Sequence, residues 1–106
     1  MTVRELSERC GFDLLCGDGE REVSSVYCCD LLSIVMGRAP AESAWVTVIG
    51  NVNSIAVATL AEVSCIVLAE GFSYDADALS AAKGKVTLLA SGLPVYETAC
   101  KIGAQL

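Results

Sequence analysis

A chain of 106 residues, 54% of them hydrophobic, has enough apolar material for one packed domain and too much for a disordered one. Thirteen acidic against seven basic residues give a net charge of −6, which excludes the basic footprint that nucleic-acid binding requires. There is no histidine, so no Ser-His-Asp or Cys-His arrangement can be assembled, and a general base would have to be Asp, Glu, Lys or Cys.

The first segment, TVRELSERCG, has Thr2 and Glu5 at capping-box spacing, with Val3, Leu6 and Cys10 on one helical face and Gly11 as a stop. FDLLCG then reads as a short strand closed by the turn GDGE, and REVSSVYCC as a second strand rich in β-formers. In DLLSIVMGRA, Asp30 is the expected N-cap and Leu31, Ile34 and Val35 form an apolar stripe. AWVTVIG is nearly continuous in apolar residues, as a strand covered on both faces should be.

NSIAVATLAEV follows as a helix capped by Asn53 or Ser54, then SCIVLAEG as another buried strand. Ser73 or Asp75 caps the helix DADALSAAKG, which Gly84 ends. KVTLLAS is the last strand, and Pro94 starts the closing helix PVYETACKIGAQL. From Trp45 onward the order is strand, helix, strand, helix, strand, helix, with short connections. That is the pattern of parallel βαβ units. The expected architecture is α/β, a three-layer α/β/α sandwich with a mostly parallel sheet, residues 1–106 forming a single domain. The two strands of the amino-terminal half would sit at a sheet edge.

No apolar run approaches the roughly 20 residues of a membrane helix. The polar start MTVRELSER lacks the apolar core of a signal peptide, so a cytoplasmic protein is expected. In that compartment the six cysteines, Cys10, Cys16, Cys28, Cys29, Cys65 and Cys100, stay reduced. Cys28, Cys29 and Cys65 lie in apolar runs and are read as buried thiols. There is no CxxC pair and no histidine to complete a mixed metal site, so neither a metal nor a cofactor is expected.

Three turns at strand ends are the candidate ligand site. Gly50, Asn51, Asn53 and Ser54 end one strand and open a helix whose first amides are free donors. Glu70 and Gly71 close the next strand, and Ser91 and Gly92 the last; in a parallel sheet all three turns share one rim. A structural account competes at each: Gly50 lets the chain turn, an asparagine caps the helix, and Gly71 supplies an unusual backbone angle. The turns carry no GxGxxG, no Walker loop and no cation. Lys83-Gly84-Lys85 has the wrong spacing for a phosphate loop, with Val86 where Ser or Thr is needed. Trp45, the sole tryptophan, belongs to the core edge or to an interface.

Taken together, VSSVYCCDLLSIVM, WVTVIGNVNSIAVATLAEVSCIVLAEG, DADALSAAKG and VTLLASGLPVYETACKI resemble the DRTGG domain in pattern and segment order over nearly the whole chain. The resemblance implies the fold shared with the amino-terminal domains of HPr kinase and certain Mur ligases. It also implies a regulatory or interaction module, often dimeric, and companions such as an ATPase, a sensor kinase or a hydrogenase-associated protein. Where the family often has a Gly-Asp-Arg-type turn this chain has Gly50-Asn51-Val52-Asn53, so Val52 replaces the arginine that could meet an anion. Where the family often has Thr-Gly-Gly this chain has Ala69-Glu70-Gly71. The family's kinase activity resides in a separate phosphate-loop domain, so none is expected here.

Three readings follow. The first is a non-catalytic regulatory module that forms a homodimer and acts through a partner protein. The second is a sensor for a nucleotide or other metabolite at the strand-end turns. The third, an enzyme, would need a perturbed carboxylate in a cleft.

Overall fold

The computed structural model describes all residues, 1–106. In chain order the elements are α1 (Val3–Cys10), β1 (Asp13–Cys16), β2 (Ser25–Cys28), α2 (Leu32–Arg38), β3 (Ser43–Thr47), α3 (Val52–Ala61), β4 (Cys65–Leu68), α4 (Ala76–Ala82), β5 (Thr87–Ala90) and α5 (Val95–Gln105). The five strands make one sheet in the order β1-β5-β4-β3-β2. β2 to β5 are parallel and β1 runs antiparallel to β5. The two short amino-terminal strands therefore occupy opposite edges of the sheet.

The central strands explain the layering. Every residue of β3 and β4 is buried, and alternate side chains point to opposite faces. Ala44, Val46, Cys65 and Val67 meet Val3 and Leu6 of α1 and Ile102 of α5. Trp45, Ile66 and Leu68 meet Val35 of α2, Ile55 and Ala58 of α3, and Ala78 and Ala82 of α4. The result is a three-layer α/β/α sandwich, with two helices on one face and three on the other. The three sit together because β2, β3, β4 and β5 succeed one another in a single direction across the sheet, and crossovers of constant hand then fall on one side. The strand order never reverses within the parallel set, so the crevice that such a reversal opens in doubly wound sheets is not built here.

The helix ends confirm some expectations and correct others. α1 has its capping box: Thr2 Oγ1 accepts from the Glu5 amide at 3.2 Å, and Glu5 Oε1 from the Thr2 amide at 2.9 Å. Gly11 follows in the left-handed region at φ 72°. Asp30 does not cap α2. The cap position falls on Leu31, without a side-chain bond, because the Asp30 carboxylate is turned onto β3. The expected stripe on α2 is also narrower. Val35 is buried while Leu31 and Ile34 are exposed, since α2 has a helical neighbour, α3, on one side only. α3 is capped by Asn51, not by Asn53 or Ser54. α4 begins after Asp75, with no side-chain bond from it or from Ser73, and Pro94 stands at the cap of α5 rather than inside its first turn.

Trp45 belongs to the core. It is fully buried and its indole Nε1 donates to the Cys29 carbonyl at 2.9 Å. The thiols divide: Cys10 and Cys65 are buried, Cys16 and Cys29 half-buried, Cys28 and Cys100 exposed. The apolar run around Cys28 was a misleading signal, because it ends an edge strand.

Candidate functional site

Parallel pairing places the carboxyl ends of β2, β3, β4 and β5 along one rim, and all three sequence-selected turns lie there. At β3 the hydrogen bonding is dense. Asp30, beyond β2, accepts from Thr47 Oγ1 at 2.8 Å and from the Val48 amide at 3.2 Å. Thr47 Oγ1 in turn accepts from the Ile49 amide at 3.3 Å. Gly50 is not in the left-handed region. Its reason is close approach, since a Cβ there would meet Leu68 Cδ2 at 3.0 Å and Tyr74 Cα at 3.1 Å. Its carbonyl accepts from the Asp75 amide at 2.8 Å, which ties the start of α4 to the start of α3. Asn51 Oδ1 accepts from the Ser54 amide at 3.1 Å, and buried Ser54 donates to the Ile49 carbonyl at 2.6 Å. Asn53 is exposed on the first turn of α3.

The other two turns are joined to each other. Glu70, at φ 64°, and Gly71, at φ 72°, adopt consecutive left-handed conformations. Their amides donate to the Leu93 and Ser91 carbonyls at 2.8 and 3.1 Å. Glu70 Oε2 accepts from the Val95 amide at 2.9 Å, so this carboxylate supplies the start of α5 with a partner from a distant loop. Buried Ser91 is 2.9 Å from Thr98 Oγ1 and accepts from the Leu93 amide at 3.1 Å. Glu70, Gly71, Ser91 and Gly92 are thus gathered around β4 and β5, and Gly50, Asn51, Asn53 and Ser54 around β3. Tyr74 stands between the groups. Its buried hydroxyl lies 2.6 Å from the Leu89 carbonyl and 3.2 Å from that of Ile66, and burial pushes its ionisation well above the usual range.

Beside the second group opens a cavity of about 470 Å³. Gly71, Ser91 and Gly92 contribute to its wall; Gly50, Asn51, Asn53, Ser54 and Glu70 do not. Its further lining includes Asp13, Leu15, Phe72 and Tyr74. Phe72 is 56% exposed, a large aromatic left open on a loop. Sequence reasoning passed over both Phe72 and Asp13. Phe72 carried a signal, an aromatic between Gly71 and Ser73. Asp13 carried none, because its place depends on β1 pairing with β5.

The chemistry available is limited. The only charged group in the cavity wall is the Asp13 carboxylate, which repels phosphates. No three Cys, Asp or Glu side chains are grouped so as to hold a metal ion. Burial pushes the thiols of Cys10 and Cys28 up, and that of Cys65 up to about 12, the direction away from thiolate. No helix is long and apolar enough to cross a membrane. No protein-family model matches the chain, and no curated protein matches it in sequence.

Proposed function

We propose that the chain is a non-catalytic regulatory or interaction module that self-associates and acts through a partner protein. The observation that carries this reading is the internal use of the strand-end rim. The polar side chains of Asp30, Asn51, Ser54, Glu70 and Ser91 are all engaged by the chain's own groups. They hold loops and helix starts in place, which is the work of a rigid scaffold. The likeness to the DRTGG domain supports the reading through element order, and it is the source of the partner classes: a kinase, an ATPase or a hydrogenase-associated protein. Sedimentation velocity at tens of micromolar tests self-association. A dimer is the expected result; a monomer throughout that range overturns it.

A second reading, a small-ligand sensor, draws support from the cavity beside Phe72. With Asp13 in its wall and no cation, it suits a neutral or cationic metabolite bearing an apolar ring more than a nucleotide phosphate. A thermal-shift panel of both kinds tests it. The expected hit raises Tm with concentration and is lost in Phe72→Ala. If none of the panel raises Tm, or the hit survives Phe72→Ala, the cavity is not a sensor site.

A further inference from the structure

α3 carries no charged residue, and its outward side shows Val52, Asn53, Ala56, Thr59 and Leu60. Leu60 is 70% exposed and Val52 44%. Beside Asn53 and Thr59, this face leaves Val52, Ala56 and Leu60 to water, and an apolar stripe on a helix ordinarily packs against a partner. An open groove of about 370 Å³ runs along it, lined by Val52, Ala56 and Leu60 from α3 and by Ala81 and Lys85 from α4 and its exit.

The residues form two rows with the same spacing. Val52, Ala56 and Leu60 stand four apart and so lie on one side of α3. Asp77 and Ala81 stand four apart on α4, and Lys85 is four beyond. The bond from the Asp75 amide to the Gly50 carbonyl sets the level of one helix against the other. Ala56 and Ala81 each come six residues after that bond, and both line the groove. The row on α3 reads large, small, large, while on the α4 side Asp77 and Ala81 are followed by Lys85 in the turn beyond the helix, at the end of the groove.

We infer that this face is the contact between two copies of the chain, with α3 antiparallel to α3 of the second copy about a two-fold axis passing by Ala56 and Ala81. That inference rests on the self-association proposed above and locates it. Reversal about the axis puts Val52 against the second copy's Leu60, and Leu60 against its Val52, with small Ala56 at the crossing. The same rotation brings Asp77 of each copy to Lys85 of the other. A parallel arrangement gains neither match, and it sets Asp77 on the side of the acidic end rather than the basic one. The charge-free helix adds no like-charge repulsion of its own between two molecules of charge −6. A stable dimer covers about 800 Å² per partner. That is a minor part of the 5181 Å² that the chain exposes.

One variant and one cross-linking pair decide the matter. Leu60→Glu, at an exposed position, leaves the fold intact by circular dichroism and weakens the dimer about a hundredfold, because the symmetry counts each substitution twice. For cross-linking, Val52→Cys and Leu60→Cys are placed in separate Cys28→Ser/Cys100→Ser chains of distinguishable mass. Mixed and mildly oxidised, they form the mixed disulfide. Neither forms a disulfide with itself, since like positions lie about 12 Å apart along the antiparallel axis and a disulfide tolerates no more than about 7 Å between Cα atoms. A monomeric native protein overturns self-association altogether. A native dimer that keeps its affinity in Leu60→Glu, or in which Val52→Cys links to itself, leaves self-association standing and overturns this surface.

Discussion

α1 and α3 both press an apolar side on the same sheet, from opposite faces, yet their outer sides have nothing in common. α1 turns Arg4, Glu5, Glu8 and Arg9 to solvent, and Glu5 lies 3.8 Å from Arg9 one turn on. α3 turns out Val52, Asn53, Ala56, Thr59 and Leu60. The inward sides are equally buried: Val3, Leu6, Ser7 and Cys10 on one helix, Ser54, Ile55, Val57 and Ala58 on the other. The difference teaches that burial against the sheet fixes where a helix sits, and its outer residues decide what it meets next. α1 shows water a charged side; α3 shows it Val52, Ala56 and Leu60 beside Asn53 and Thr59.

The largest test of that comparison is whether the two layers share one fold. Trp45→Ala on the α3 side should cost about 3–5 kcal/mol and Leu6→Ala on the α1 side about 2–5 kcal/mol, both being fully buried. Urea unfolding followed by far-ultraviolet circular dichroism should remain a single transition in each. Two transitions in either variant would show that the layers unfold separately.

Alkali offers the next test, because each face holds a buried acid: Cys65 under the α1–α5 layer and Tyr74 under the other. Burial raises the Cys65 thiol from 9.0 to about 12. The unfolded chain therefore ionises first as pH rises. The stabilisation is full below pH 9 and is lost between pH 9 and 12, amounting to roughly 4 kcal/mol from this thiol. Tyr74 acts in the same direction. Unfolding free energies across that range should fall steeply in the native protein and less steeply in Cys65→Ala. Equal slopes would remove Cys65 as a cause.

The smallest effects lie at the helix starts. Thr2→Ala and Asn51→Ala each should cost about 1 kcal/mol, with Thr2 the costlier because its hydroxyl both accepts from the Glu5 amide and donates to Glu5 Oε1. Midpoints of urea unfolding measure both, and a larger loss at Asn51 would reverse the order.

The sequence made the order of strands and helices legible because β3 and β4 are apolar throughout and the intervening helices carry their own period. The capping box at Thr2 was equally plain, being local. What stayed hidden depends on distant partners. Asp30 looked like a cap, but Thr47 and the Val48 amide claim its carboxylate. Glu70 has no local sign of a partner, yet it serves the start of α5, twenty-five positions away. Nothing near Asp13 announced that β1 would join β5 and bring that carboxylate to the cavity wall. Of the turn residues selected in advance, all eight reached the expected rim, but only Gly71, Ser91 and Gly92 border the cavity.

The pairing of β1 with β5 has a kinetic consequence. Neighbouring parallel strands are joined through one short helix, but Asp13 lies opposite Ala90, seventy-seven positions on in the chain. Closing so long a loop carries a larger entropic penalty than closing a βαβ unit, and contacts of high sequence separation slow folding. The β2-to-β5 unit should therefore assemble early and the first strand lock on late. Native-state hydrogen exchange tests it, the β1 amides being expected to exchange sooner than those of β3 and β4.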